Sequence, residues 1–453
     1  MSEGLEPDRL HAALDACLDV KGAAAVQASA THSWGGLTRF ASSVIHQNVA
    51  SESNGVEVTV VLDDGRRGYA SGGDLDPGAA ASIAQQALDA ARLAPPDPEF
   101  PGVAGPQSYA SWPDRFDEET ANASPADRAK AVSSGLEVLR TGQHAAGRVT
   151  TTAVERAIGT SGGARGYGSS TAADVVVAVT SGNGGTGYDA QSASRLSTID
   201  AVGRAASAAA TCAAADNPQA IDPGTYEVVL HPDAVGNLLF FLAILAFDAK
   251  AYQEGRSPLC NRLGEVVASP LVTIRDDASR PGMSSMPFDG EAMPKTAVDL
   301  IVDGVATGLV YDRETARRAG RESTGHGAGS PETGPAMGFG ALANNLVLEP
   351  GSGGTTEDLI AGMERGLVVT RFWYTRVVDP MRTMITGMTR DGTFLVEDGR
   401  IVKSVRNLRW NESILDLLTN CTAIGKEPDQ VWGAVQTPAL RASSFTCTAQ
   451  TDH

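Results

Sequence analysis

Residues able to do chemistry are sparse and scattered in this chain. Its seven histidines are His11, His32, His46, His144, His231, His326 and His453, and none stands at an HxH, HxxH or HExxH spacing. A zinc site assembled from one local motif needs such a spacing. Cys17, Cys212, Cys260, Cys421 and Cys447 are odd in number, irregularly placed and without a CxxC pair. They read as reduced thiols rather than a disulfide framework or a cysteine zinc cluster. Ser323-Thr324-Gly325-His326 is the most suggestive cluster, because it lies in a Gly-rich loop and such loops often hold binding residues. A Ser–His pair is nucleophilic only through tertiary contact, and no G-x-S-x-G elbow is present, so the reading is cleft-lining or structural. Arg39, His46, Gln47 and Asn48 are read as facing a strand edge or a partner chain, with His46 open between binding and a structural hydrogen bond. Asp276, Asp277, Asp289 and Glu291 offer oxygen ligands for a divalent cation, but turn and cap carboxylates are the favoured reading. His231, just before Pro232, is read as a helix cap. The stretch 159–168 (GTSGGARGYG) lacks the Lys-Ser/Thr ending of a phosphate loop.

The elements that must position these residues follow from periodicity. Leu10, Leu14, Cys17 and Leu18 recur at helical spacing, and 56–62 (VEVTVVL) alternates as a strand before an Asp64-Gly65 turn into Arg67–Ser71. An Ala-rich helix covers 79–94, and the proline-dense 95–113 is a linker across the surface. The plan then repeats. A helix near 126–140 precedes strands near 149–157 and 174–180, with the glycine-rich 159–168 as a loop between them and 182–187 as a turn-rich loop after them. A helix from Asp200, its N-cap, runs to about Ala215. Beyond Gly224 the reading is mostly strand. DG turns are expected at Asp303-Gly304, Asp391-Gly392 and Asp398-Gly399, a hairpin over 393–405 and a buried strand over 366–374. Helices are expected at 232–249 and near 356–365. The fold class is α+β: duplicated N-terminal α+β modules over 1–105 and 106–222, then a mostly β C-terminal domain over 223–453 with a central apolar helix.

Composition bounds the partners. Of 453 residues, 54 are acidic and 36 basic, a net charge of −18 with no basic stripe, so neither nucleic acid nor an anionic membrane is an expected partner. The apolar run Leu238–Phe247 falls well short of the ~20 residues that span a bilayer. The N-terminus has neither a basic start nor an apolar core, so a soluble cytoplasmic protein is expected.

Several stretches, taken in order, resemble the bacterial TldD/PmbA peptidase family. They are LTRFASSVIHQN (37–48), GTYEVVLHPDAVGNLL (224–239), EGRSPLCNRLGEVVASPLVTIRDD (254–277), PFDGEAMP (287–294), STGHGAG (323–329), GLVVTRFWY (366–374), TRDGTFLVEDG (389–399) and AIGK (423–426). The resemblance covers nearly the whole chain. In the family's active branch, an HExxxH motif in the central helix and a later cysteine in a CGK-type block hold zinc, with the glutamate as general base. Three protein ligands leave a fourth zinc position for a water whose pKa falls to about 7. Counting back from Gly264-Glu265, which that branch places 24 and 25 positions after the first histidine, puts Phe240 and Leu245 where the histidines belong and Phe241 where the glutamate belongs. Ile424 stands where the cysteine belongs. None of these side chains can bind zinc. The helix reads as apolar nearly all round and buried.

The resemblance therefore implies the TldE-like (PmbA-like) branch. This chain would have no catalytic residue and no cofactor of its own, with zinc in a TldD-like partner and a peptide or unfolded protein as substrate. Candidate substrate- or partner-binding residues are Arg39, His46, Ser323, Thr324, Gly325 and His326. Two alternatives stay open: a self-associating peptide-binding homodimer, and an independent hydrolase with an unrecognised site around His326.

Overall fold

The computed structural model describes residues 6–328 and 340–451. Gly329, the last residue of the 323–329 block, and His453 lie outside them.

The N-terminal half is one motif used twice. The first copy is α1 (Pro7–Leu18), β1 (Ala25–Ala41), β2 (Val44–Val61), β3 (Arg67–Gly72) and α2 (Pro77–Leu93). A short α3 (Glu118–Ala121) follows the proline-rich linker. The second copy is α4 (Pro125–Leu136), β4 (Gln143–Thr160), β5 (Arg165–Ser181), β6 (Thr186–Ala193) and α5 (Ala201–Ala214). Each copy is helix, three-stranded meander, helix. The copies join through the antiparallel pairing of β1 with β4 into one six-stranded sheet, β3-β2-β1-β4-β5-β6. Even-numbered β1 residues face the helices. Val26, Ala28 and Ala30 pack under α1 and α2, and Phe40 packs with α4 and α5. Small side chains on both layers let helix and sheet approach closely. A Cβ at Gly68 would sit 2.1 Å from the α2 backbone, and one at Gly187 would sit 2.0 Å from that of α5.

The strand expected at 56–62 is the end of β2, while β1 and the first part of β2 fill a region that the sequence left unassigned, because alternation there is of small and polar residues rather than apolar ones. Residues 159–168, expected as a loop, are mostly strand. β4 runs to Thr160 and β5 begins at Arg165, leaving only a tight turn. Glycine in these strands has a packing reason: Cβ atoms at Gly166 and Gly168 would press on Phe288 and Met286 of the C-terminal half.

The C-terminal half opens with β7 (Gly224–Leu230), α6 (Pro232–Ala246) and α7 (Ala249–Gln253). Next come β8 (Ile274–Asp276), β9 (Val298–Val302), β10 (Val305–Ala306), α8 (Arg313–Arg318), β11 (Leu346–Leu348) and α9 (Thr356–Ala361). Then follow β12 (Arg365–Asp379), β13 (Met384–Glu397), β14 (Arg400–Ser404), β15 (Leu408–Ser413) and α10 (Ile414–Thr419). The chain finishes with β16 (Cys421–Ile424), β17 (Asp429–Val431), β18 (Val435–Thr437) and β19 (Leu440–Gln450).

Strands β12, β7, β19, β15 and β13 pair in that order, and β13 pairs back onto β12, so the ring closes into a barrel. Closure removes the exposed edges an open sheet would carry. Its centre is aromatic: Phe372 lies 4.4 Å from Trp410 and 5.7 Å from Phe445, centroid to centroid. A smaller sheet, β10-β9-β8-β11-β18-β17, packs on the far side of α6.

Two of the three expected DG turns are hairpin turns with both residues at positive φ, Asp303-Gly304 between β9 and β10 and Asp398-Gly399 between β13 and β14. Asp391-Gly392 is different. It lies inside β13 as a bulge, where the Asp391 carboxylate accepts from Arg371 and the Thr370 hydroxyl donates to the local carbonyls. Among the described residues no helix is long and apolar enough to cross a membrane.

Candidate site in the cleft below the central helix

Helix α6 is held between barrel and small sheet by Val235, Leu238, Leu239, Leu242, Leu245 and Ala246, all buried. It is not apolar-buried all round, as its sequence suggested. Asp233, Asn237, Phe240, Phe241 and Ile244 share a less buried stripe, and Phe240 is 45% exposed. Phe240 and Leu245 are five residues apart, which on an α-helix is about 140° of rotation. One accordingly faces solvent, while the other is 9% exposed in the core. Ile424 is also in the core, at the end of β16 against Leu440. The positions counted as zinc ligands thus carry apolar side chains, and their residue types do not fit a metal. Among the described residues no three His, Cys, Asp or Glu side chains group as a metal would need.

The stripe overlooks a cleft of about 330 Å³ between the two halves of the molecule. Arg148, Asp174 and Tyr188 line it from β4, β5 and β6. Asp233 lines it from the first turn of α6, and Asp429 and Trp432 line it from the β17 end. Trp432 holds a left-handed backbone, φ 53°, which turns its ring towards Phe240 at 6.1 Å. Burial, together with nearby Asp189, pushes the Asp233 carboxyl up to about 7. Arg204 closes one end by bridging Asp189 at 3.2 Å and Asp429 at 2.7 Å, tying α5 and β6 to the C-terminal half. Arg371 stacks 3.8 Å over Tyr188 and bonds Asp391. The lining carries carboxylates, a guanidinium and aromatic rings, groups that can hold a polar chain. Sequence reasoning missed Asp233. Its signal was a lone acid in the first turn of an otherwise apolar helix.

The 323–329 block sits elsewhere. His326 is 3% exposed, and both ring nitrogens are engaged, Nε2 with Asp276 Oδ1 at 3.0 Å and Nδ1 with Thr324 at 2.9 Å. Ser323 Oγ donates to the Tyr311 carbonyl. Gly325, at φ 72°, lies where a Cβ would strike Pro294. The acidic residues read as separate turn carboxylates converge here. Asp289 accepts the amides of Glu291, Met293 and Gly327, and Glu291 accepts that of Arg313. Burial, with Asp289 and Asp312 adjacent, pushes the Glu291 carboxyl up to about 8, and burial raises Asp289 too. Burial also acts to raise Asp276, but the contact with His326 outweighs it and holds that carboxyl below its ordinary range.

The 287–294 segment, which the Asp289 carboxylate ties to Gly327, is a seam. Gln27 donates to the Gly290 carbonyl at 2.8 Å, Tyr109 donates to the Ala292 carbonyl at 2.9 Å, and Phe288 packs with Ile158 and Ala164. His326 therefore holds the fold and offers no free ring nitrogen to a ligand.

Arg39 and His46 are exposed on the β1–β2 hairpin. Beyond Val56, β2 pairs with β3, but residues 44–55 form no such outer pairing. This places His46 on a bare strand edge, apart from the 323–329 block. His231 is not a side-chain cap: it accepts no amide, its Nε2 is buried without a partner, and burial pushes its pKa down to about 4.

Comparison with known proteins accords with this geometry. The family model for the PmbA/TldA metallopeptidase C-terminal domain matches residues 223–449, and that for PmbA/TldA metallopeptidase domain 1 matches 26–91. A metalloprotease of Methanothermobacter thermautotrophicus is 28% identical over 204 residues, 45% of this chain and 43% of that protein, so the chain spans under half of this relative. Metalloprotease PmbA of Escherichia coli O157:H7 is 27% identical over 399 residues, 84% of this chain and 83% of that one. The crystal structure of TldE from Thermococcus kodakarensis superposes with a TM-score of 0.85 at 22% identity, covering 94% of this chain and 97% of that one, which shows a shared fold. With a matched C-terminal domain, a matched first domain and a common architecture from end to end, the chain belongs to the PmbA/TldD family and has a TldE-like fold.

Proposed function

We propose that this chain is the metal-free subunit of a two-subunit TldD/TldE-type peptidase. Its TldD-like partner would hold the zinc and hydrolyse peptide bonds, while this chain supplies a wall of the site that receives peptide or unfolded protein. The observation that carries the reading is the set Phe240, Phe241, Leu245 and Ile424 at the four positions where the active branch has ligands and base. At the two buried positions, Leu245 and Ile424, apolar residues avoid the cost of buried, unpaired polar groups.

A second feature supports a partner. Trp373, Tyr374, Val377, Val378 and Met381 on and beside β12 are 41–63% exposed, an apolar concentration of the kind that marks interaction surfaces. His46, on the bare edge of β2, and Arg39, on the neighbouring β1, are the candidate residues for meeting partner or substrate, with the β2 edge open to strand addition. Assembly and activity are placed in the cytoplasm.

Co-expression with a TldD-like subunit, followed by size-exclusion chromatography and elemental analysis of each chain, tests the proposal. Expected are a stable heterodimer, with an interface of at least about 1,000 Å², and zinc only in the partner. About one zinc retained per chain here after dialysis against a weak chelator would overturn it.

A further inference from the structure

A second cavity, of about 930 Å³, opens on the helix face of the N-terminal sheet, between β1, β2 and the segment leading into α4. Its inner wall holds Arg128, only 2% exposed. Nη1 of this guanidinium donates to the Ala123 carbonyl at 2.8 Å and to Thr151 Oγ1 at 3.1 Å. Nε is buried without a hydrogen-bond partner, and among the described residues no carboxylate lies within ion-pair distance of the group. The neighbouring Asp127 carboxylate acts on it only through space, being bonded to Ser124, and a buried guanidinium without a contacting counter-charge is costly unless something brings one. Burial duly lowers its pKa. The fork lies flat on β1 because position 36 is glycine: a Cβ there would sit 2.2 Å from Nη2. The cavity therefore presents a pre-placed cation, in the first turn of a helix whose dipole also favours an anion.

The other end carries the opposite charge. Trp34, whose indole donates to the Ala121 carbonyl, stands two residues from Gly36 on the same strand face and lines the cavity. It stacks on His32 at 4.6 Å. Glu52, paired across from Trp34, turns its carboxylate to within 3.4 Å of His32 Nε2, away from Arg128. The four steps from Gly36 to His32 cover about 13 Å of strand, close to the length of a three- or four-residue extended peptide.

We propose that this cavity binds a short free peptide, its C-terminal carboxylate on Arg128, its body across Trp34 and its N-terminal ammonium at Glu52. Guanidinium and carboxylate match as a charge-assisted pair. The site needs neither a zinc partner nor the cleft below α6, so it stands or falls apart from the subunit assignment.

Isothermal titration of the full chain with trialanine and tetra-alanine, as free peptides, C-terminal amides and N-acetyl derivatives, tests it. The free peptides should bind saturably. Amidation should weaken binding at least about tenfold, and acetylation about threefold to fivefold. Glu52→Gln changes an exposed residue and should abolish the difference between free and acetylated peptides while keeping the amide effect. Arg128→Gln should abolish binding, and if it fails to fold, the Glu52→Gln and amide comparisons still decide. Amides that bind as well as acids, or no binding at about 10 mM, would overturn the proposal. Acetate binding as tightly as tetra-alanine would overturn the peptide assignment.

Discussion

The vacated face of α6 and the seam around Asp289 treat polar chemistry in opposite ways. On α6, the positions that would serve a metal carry phenylalanine and leucine, and the polar residue that remains, Asp233, looks into an open cleft. At the seam, Asp276, Asp289, Glu291, His326 and Lys295 are gathered within the C-terminal half, and the turn they brace meets the other half through the Gly290 and Ala292 carbonyls. The difference teaches what the family-like blocks preserve here. The blocks PFDGEAMP and STGHGAG carry architecture: together they brace the turn that meets the N-terminal sheet. A Ser–His reading of the 323–329 block mistakes a structural network for a nucleophile.

Breaking the seam should have the largest effect. His326→Ala takes the ring nitrogen away from the buried Asp276 carboxylate and leaves a cavity, so we expect about 3–5 kcal/mol of destabilisation, read by urea or thermal unfolding. A variant within 1 kcal/mol of the parent would show that the pair is dispensable.

Next is the converse experiment on α6. Phe240→His, Phe241→Glu, Leu245→His and Ile424→Cys together should lower stability without creating a peptidase. The loss should come mainly from Leu245 and Ile424, which are 9% and 2% exposed. Each buried polar group left unsatisfied costs about 1–3 kcal/mol. Phe240→His alone, at a half-exposed position, should change stability by no more than about 0.5 kcal/mol. Equal costs at Phe240 and Leu245 would contradict the exposed stripe, and a well-folded quadruple variant that hydrolyses peptides would contradict the reading of the site.

The seam should also show in the pH dependence. The Glu291 carboxyl sits at about 8 in the fold against an ordinary 4.5. Below 4.5 both folded and unfolded chains are protonated there, and the stabilising proton is fully present. Between 4.5 and 8 the fold keeps a proton that the unfolded chain has lost, so stability falls as pH rises. Glu291→Gln removes this term, and its melting temperature should fall less between pH 5 and 8, ending at least about 2 °C above the parent. His231 acts in the other direction at lower pH, but it is common to both proteins and cancels. Parallel curves would remove Glu291 from the account.

The smallest effect on stability is expected at the apolar surface of β12. Tyr374 holds a left-handed φ of 57° and is 63% exposed, so Tyr374→Asn should change folding stability by about 0.5 kcal/mol or less. The same change should weaken co-elution with a zinc subunit. Unchanged co-elution with Tyr374→Asn and Val378→Asp combined would place the interface elsewhere.

How much of this was legible in the sequence depends on the kind of signal. Helices α1, α2 and α5, the Asp200 cap and the I′ turns at Asp303 and Asp398 follow from local periodicity and turn chemistry, which act within a few residues. The bulge at Asp391-Gly392 has the same dipeptide as a hairpin turn, and only its pairing with Arg371 and Thr370 tells them apart. Strand β1 and the first part of β2 were hidden because the inward positions there are Ala, Gly, Thr and His as well as Val, a weak alternation. The family resemblance was carried by ordered blocks, and the matched domains bear it out. The convergence of Asp276 with His326, and of Asp289 with Gly327, links positions 50 and 38 residues apart, which no local pattern reports. Asp233 gained its setting only when β6 and β17 closed the cleft around it.

The central claim is that this chain completes a peptidase whose chemistry lies in another subunit. The most direct test is peptide hydrolysis by a TldD-like zinc subunit, assayed alone and after addition of this chain at equal concentration. The account predicts little hydrolysis from either chain alone and a clear rise on mixing, with zinc found only in the partner. Full activity from the zinc subunit alone, with no co-elution of the two chains, would contradict it.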